Sequence, residues 1–286
     1  MSRLGEWLNG GLLIADGAWG TELQARGLAP GEAPDTWNLT HPERVEAVAR
    51  AYVEAGSQVV LTNTFRANTV AMQGDLDAIN RAGVAISKRA AGSRALVFAS
   101  IGPTGKMLVA GEIGSAQASA AFAAQASALV AAGADALLVE TMSDIEEARL
   151  AVAAAKSMGL PVIVSFAFDS GKNKDRTMMG ATPEAVAAAM VEAGADAVGA
   201  NCGVGVEHAA PICRRLRAAC HLPIWIKPNA GLPKMEGDAI RYGTSAELFA
   251  SQYAALRDAG ASFLGGCCGS TPAFIRALVS ARCASS

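Results

Sequence analysis

Cysteine is the residue type in this chain whose placement is least ordinary. Six occur, at 202, 213, 220, 267, 268 and 283, all in the C-terminal third, with two adjacent in the glycine-rich run GGCCG at 265–269. A small secreted protein would use six as a disulfide framework, whereas a long chain with crowded cysteines raises metal or thiol chemistry instead. Three thiolates, from Cys202, Cys267 and Cys268, form a soft donor set that favours zinc. Three protein ligands leave a tetrahedral ion one open position, the pattern of catalytic rather than structural zinc. The competing reading is that free cysteine is a small, commonly buried residue. Consecutive cysteines do not reach the usual Cα separation of a disulfide without strain, so a Cys267–Cys268 bridge is not expected.

Two carboxylates and a glycine-rich turn accompany the cysteines. Asp16 and Glu140 each end an apolar run, in LLIADG and LLVET. As a pair facing one mouth they would serve as general acid and base, or bind a substrate ammonium group; singly, each would be a solvated strand-end acid. In DGAWGT, residues 16–21, Gly17 and Gly20 start a helix whose free N–H groups, through Thr21, can hold a carboxylate. The three histidines, 41, 208 and 221, sit at helix starts or flanks and are expected to be solvated.

These residues converge only if the elements carrying them do. Four segments read alike: EAGSQVVLTNTF from Glu54, AAGADALLVET from Ala131, EAGADAVGANC from Glu192 and DAGASFLGGCC from Asp258. In each, an alanine-rich amphipathic stretch ends in Ala-Gly and a short apolar run follows. Glycine there is the expected helix cap, and the apolar run has the character of a parallel strand buried on both faces. Four more candidate strands lie at 12–17, 96–103, 161–168 and 223–231, which makes eight βα units. Eight units predict a single α/β barrel of the (β/α)8 TIM type over residues 1–286, with chemistry at the C-terminal ends of the strands. Cys202, Asn229, and Cys267 with Cys268 then end strands six, seven and eight. Cys213 and Cys220 fall in the helix after strand six and Cys283 in the C-terminal tail. The loop FDSGKNKDRTMMG after strand five reads as a solvated excursion.

Composition narrows the function class. The chain has 286 residues, 51% hydrophobic, 17% charged and 5% aromatic, with a net charge of −2. Its basic residues do not cluster, so neither a nucleic-acid footprint nor a basic membrane-surface helix is expected, and a small-molecule ligand is favoured. The N-terminal apolar run is broken at Asp16, and the alanine-rich stretch from Ser119 to Val139 is broken by Gln125 and Asp135. Neither a signal peptide nor a membrane span is therefore expected, and a cytoplasmic location is the default.

DGAWGTELQARG, LTNTFRAN, IGPTG, LLVET with DIEEA, GANCG, PNAG and GGCCGSTP occur here in an order and spacing that resembles the homocysteine S-methyltransferase family. The resemblance is to the zinc-dependent homocysteine-binding domain, as in cobalamin-dependent methionine synthase and betaine-homocysteine methyltransferase, and runs from about Leu12 to Val279. It implies that Cys202, Cys267 and Cys268 hold Zn2+ and that the homocysteine thiolate takes the open position. Asp16 and Glu140 would bind the homocysteine amino group, and backbone N–H groups from Gly17 to Thr21 its carboxylate. Asn229 would occupy the fourth zinc position before substrate arrives. No catalytic side chain is expected beyond the zinc-activated substrate thiolate.

The methyl donor implied is a small molecule of sulfonium or betaine type, or a separate corrinoid protein, since folate- and cobalamin-binding modules are not seen. A betaine cage needs aromatic residues. Arg66 stands after Asn63-Thr64-Phe65 where such a relative is expected to carry tyrosine, and Trp19 and Trp37 are the only nearby candidates. Two other readings remain at this point: a zinc- or thiol-binding subunit of a methyl-transfer assembly without turnover, and a methyltransferase acting on another thiol.

Overall fold

The computed structural model describes residues 2–236 and 239–285. Eight parallel strands run in the order β1-β10-β7-β6-β5-β4-β3-β2. They are β1 (Leu13–Ile14), β2 (Val59–Leu61), β3 (Leu96–Ile101), β4 (Ala136–Met142), β5 (Val162–Phe166), β6 (Ala197–Gly205), β7 (Ile224–Asn229) and β10 (Ala261–Leu264). The two ends of this order meet: Ala15 bridges Val59 in parallel, and the Gln58 N–H donates to the Ile14 carbonyl at 2.7 Å. Helices separate the strands, so the fold is the (β/α)8 barrel expected from the repeat.

Each Ala-Gly signal caps a helix as anticipated. Gly56, Gly133, Gly194 and Gly260 all have positive φ just beyond the helices that end at Glu54, Ala131, Glu192 and Asp258. Between helices and sheet lies the larger apolar layer, and inside the barrel a smaller one contains Leu13, Ala15, Val59, Leu61, Phe98, Leu138, Ile163, Trp225 and Phe263. The short helix Arg3–Trp7 closes the bottom, with Leu4 buried and the Trp7 ring 5.5 Å from that of Phe98. Among the described residues, no helix is long and apolar enough to cross a membrane.

Two details differ from the expectation. A two-stranded hairpin, β8 (Pro233–Glu236) with β9 (Ala239–Tyr242), follows β7 and has no counterpart in the sequence reading. Cys283 lies within the last helix, Pro272–Ala284, rather than in a tail.

Candidate metal and substrate site

Side chains along a strand alternate between faces, so the barrel interior changes character two residues at a time. On β3, β4, β5 and β7, the buried apolar residues Phe98, Leu138, Ile163 and Trp225 are followed two positions later by Ser100, Glu140, Ser165 and Lys227. Asn201 on β6 joins them. The result is a buried polar layer resting on the aromatic floor of Phe98, Trp225 and Phe263.

Asn201 ties this layer together. Its Oδ1 accepts from the Thr141 N–H (2.9 Å) and the Ser165 hydroxyl (2.6 Å), and its Nδ2 donates to Thr141 Oγ1 (2.7 Å) and, more weakly, to Glu140 Oε2 (3.4 Å). Glu140 also accepts from the Ser100 hydroxyl at 2.5 Å. Its pKa is raised by burial, against which Lys227 and the Ser100 hydroxyl act. A buried carboxylate supported in this way is suited to an incoming cation.

The cysteines reach the same mouth from different elements. Strand β7 pairs with both β6 and β10, which makes the ends of β6 and β10 second neighbours. Cys202 sits where the β6–β7 register shifts, with left-handed backbone at itself (φ 57) and at Gly203 (φ 68). A bulge of this kind re-aims a strand-end side chain. Beyond β10, the Cys267–Cys268 loop is held by backbone bonds: Gly266 N–H to the Asp16 carbonyl (3.0 Å), Cys267 N–H to Pro228 (2.8 Å), and Ala230 N–H to Cys268 (2.9 Å).

The three Sγ atoms consequently lie within 4.8 Å of one another, with Cys202 and Cys268 3.8 Å apart. Sharing a proton with Cys202 and burial push the Cys267 thiol above its ordinary range. For Cys202 the hydrogen bond with Cys267 favours the thiolate, but the Cys268 contact and burial outweigh it and the pKa rises to about 12. Three clustered thiols resist joint ionisation, and a cation among them would reverse that. Asn229, also on β7, donates its Nδ2 to the Gly203 carbonyl at 2.9 Å. Its Oδ1 is buried and has no hydrogen-bond partner among the described residues.

A cavity opens over this layer. Its walls include Gly17, Trp19 and Thr21, Phe65 and Arg66, Ser100, Glu140, Lys227 and the three clustered cysteines. Thr21 Oγ1 is buried there without a hydrogen-bond partner among the described residues. The loop carrying Gly17 is packed on Tyr52, whose hydroxyl reaches the Ala18 and Ser270 carbonyls at 2.7 and 3.0 Å. A Cβ at Gly17 would meet the Tyr52 ring at 2.7 Å and the Ser270 carbonyl at 2.9 Å, so only glycine permits this approach.

The structure thus gathers Gly17, Thr21, Glu140, Cys202, Cys267 and Cys268 at one cavity. Asp16 lies beneath it, fully buried and absent from the cavity wall. Its Oδ2 accepts from the Trp19 indole N–H and the Leu61 N–H, each at 2.8 Å, and its Oδ1 pairs with Lys227. Trp37 is no part of the cavity: it is buried beside His41, where Arg44 stacks on it. The remaining cysteines stand elsewhere. Cys213 is buried with its thiol 3.6 Å from the Ala259 carbonyl, Cys220 ends its helix and Cys283 is exposed.

Two contributors escaped the sequence reading, and a third, Asn201, stood at the end of strand six without an assigned role. Lys227 was detectable as the polar residue that follows the apolar inward Trp225 at spacing two. Tyr242 was not: it comes from the unexpected hairpin and packs so closely on Gly269 that a Cβ there would lie 2.2 Å from its ring.

Comparison with known proteins agrees with this geometry. The family model described as homocysteine S-methyltransferase matches residues 13–282. Methionine synthase of Mycobacterium tuberculosis is 31% identical over 94% of this chain, and that of Mycobacterium leprae is 30% identical over 95%. The chain spans about a quarter of the length of either relative, 24% in both cases. A solved structure of the homocysteine methyltransferase MmuM from Escherichia coli, in its oxidized form, has the same fold. It superposes with a TM-score of 0.82 at 24% identity, covering 98% of this chain and 99% of that one. By the extent of the family match and by the thiol cluster at its barrel mouth, the chain belongs to the homocysteine S-methyltransferase family.

Proposed function

We propose that this chain transfers a methyl group from an activated donor to the sulfur of homocysteine, forming methionine, with zinc held by Cys202, Cys267 and Cys268. The observation that carries this reading is the convergence of three Sγ atoms within 4.8 Å on a cavity whose wall also holds the buried Glu140 carboxylate. The donor set fits a tetrahedral zinc site with three protein sulfurs, and the orphaned Asn229 Oδ1 is a spare acceptor suited to the fourth position before thiol arrives.

When bound, zinc would hold the acceptor as a thiolate at neutral pH. A free thiol with a pKa near 8.5 is only a few per cent ionised there, so full ionisation contributes at most about 2 kcal/mol. The residues of the chain then do the positioning. Glu140 receives the ammonium group, the loop Gly17–Thr21 receives the carboxylate, and Trp19, Leu61 and Phe65 line the cavity. In the transfer a sulfur–carbon bond forms as the bond from methyl to donor breaks, and the donor keeps that electron pair. The thiol proton has already gone to solvent, so the step needs no general base.

The donor is an onium small molecule or a separate methylcorrinoid protein. Betaine ranks below the others, because Trp19 and Phe65 are the aromatic residues on the cavity wall and the Trp19 N–H is committed to Asp16. The residues 1–286 act as one homocysteine-binding barrel. The test is methionine formation from homocysteine with a methylcorrinoid protein, S-methylmethionine, S-adenosylmethionine and betaine in turn, with zinc measured on the same preparation. Methionine from at least one donor and bound zinc are expected; no methionine from any donor overturns the assignment.

A further inference from the structure

Methyl transfer to a thiolate makes no use of a buried lysine, yet one stands in the cavity wall. Lys227 is 2% exposed. Its position on β7, between Trp225 and Asn229 at spacing two, places it where the apolar interior meets the mouth, with Nζ 5.8 Å from the centre of the Trp225 ring. An ammonium group carries three N–H donors, and a buried one is costly unless those donors are used. One goes to Asp16 Oδ1. Among the described residues no second hydrogen-bond acceptor meets the others, and the cavity lies beside them.

Asp16 is occupied in the complementary way. Three donors converge on it, from Trp19, Leu61 and Lys227, and it does not reach the cavity wall. Because Trp19 shares that carboxylate, the Lys227 ammonium lies next to the loop Gly17–Thr21. That loop brings the unpartnered Thr21 hydroxyl to the same cavity. A cation and a spare hydroxyl on one side, with the Glu140 carboxylate also on the wall, match the two charges of an α-amino acid.

We infer that Lys227, together with Thr21, binds the carboxylate of the amino-acid thiol, that Glu140 binds its ammonium group, and that Asp16 is a positioning residue for Lys227 rather than a substrate contact. This rests on the reading of the cavity as a homocysteine site, and it deepens that reading by naming which charge each wall recognises. It predicts an acceptor that is a zwitterionic thiol.

Calorimetric binding of three thiols to the reduced, zinc-supplied protein separates these roles without any methyl donor. Homocysteine carries both charges, 4-mercaptobutyrate only the carboxylate, and 3-aminopropanethiol only the ammonium. Lys227→Met is expected to weaken homocysteine and 4-mercaptobutyrate by roughly 10- to 100-fold, the range for a charged hydrogen bond, and to leave 3-aminopropanethiol within about 3-fold. Asp16→Asn is expected to show the same pattern in milder form, and Glu140→Gln the opposite pattern.

The double variant Asp16→Asn/Lys227→Met, which removes both members of the buried pair, keeps the test open if Lys227→Met alone does not fold, and it should show the Lys227→Met pattern. Equal weakening of all three thiols by Lys227→Met or the double variant, or no weakening of homocysteine, overturns the inference, as does selective loss of 3-aminopropanethiol in Asp16→Asn. If homocysteine binds as described but yields methionine with no donor, the transfer reading fails while the recognition scheme stands. If the wild-type protein binds no homocysteine, both fall.

Discussion

Cys202 Sγ lies 3.8 Å from Cys268 Sγ although 66 residues separate them in the chain. Strand order creates that proximity, since β6 and the strand preceding Cys267 flank β7 on opposite sides. The left-handed backbone at Cys202 completes it.

One equivalent of zinc per chain is therefore expected in protein purified under reducing conditions. Serine at position 202, 267 or 268 should weaken metal binding by at least about 100-fold, because some 10 to 16 kcal/mol in a structural zinc site is spread over four ligands. Cys213→Ser and Cys283→Ser should leave the metal content unchanged. Elemental analysis with a chelator competition checks this, and undiminished zinc in Cys202→Ser/Cys267→Ser would sink the ligand assignment.

Glu140 should trade stability for recognition. Its folded-state pKa is raised by burial, so its contribution to stability is fully present below the unfolded pKa and is lost as pH rises through the folded one. Glu140→Gln is accordingly expected to melt at a higher temperature than wild type near pH 7 and to match it near pH 4, about the unperturbed carboxylate pKa. In the wild-type protein, homocysteine affinity should fall as pH drops through the raised pKa, because the charged carboxylate is lost. Melting curves and binding across that range decide the matter, and a pH-independent melting difference would contradict it.

Tyr52 links the two loops that build the site. One phenolic proton serves the carbonyls of Ala18 and Ser270, which belong to the glycine-rich turn and the cysteine loop. Tyr52→Phe leaves the Ala18 carbonyl unmet in a buried place, while the Ser270 carbonyl keeps the Ala18 N–H at 3.1 Å, at a cost of about 1–3 kcal/mol. Denaturant unfolding should show that loss, and the affinities for zinc and homocysteine should weaken together. A variant as stable as wild type would mean that the loops hold each other without the hydroxyl.

Asn201→Asp tests the polar layer. The change is nearly isosteric, but it replaces the Nδ2 donor facing Thr141 Oγ1 and Glu140 Oε2 with a carboxylate oxygen. Thr141 is β-branched with φ 61 and depends on neighbours to hold that conformation. Stability should drop by about 1–3 kcal/mol, with homocysteine affinity falling as well. Unchanged unfolding and binding would show that Glu140 is positioned by Ser100 alone.

The barrel was legible because its signals are local. Ala-Gly at a helix end before an apolar run, found four times, and four further apolar runs are patterns a few residues long, and eight strands in series admit few arrangements. The strand-end positions follow from the same patterns, which is why Cys202, Glu140, Cys267 and Cys268 could be named together. Trp37 was misplaced because nearness in sequence to a strand end says nothing about which way a loop turns. The hairpin carrying Tyr242 falls between two strands, where the helical period gives no guidance.

By itself, then, the sequence determined the architecture, the family and the three sulfurs at the mouth. The tertiary structure decided how the charges are shared. Asp16 and Lys227 are 211 residues apart, and they meet because β10 lies between β1 and β7 in the sheet, which puts β7 and the loop after β1 on neighbouring walls. Strand periodicity is set residue by residue, whereas the pairing of two buried charges depends on closure, register shifts and left-handed turns that involve the whole chain at once.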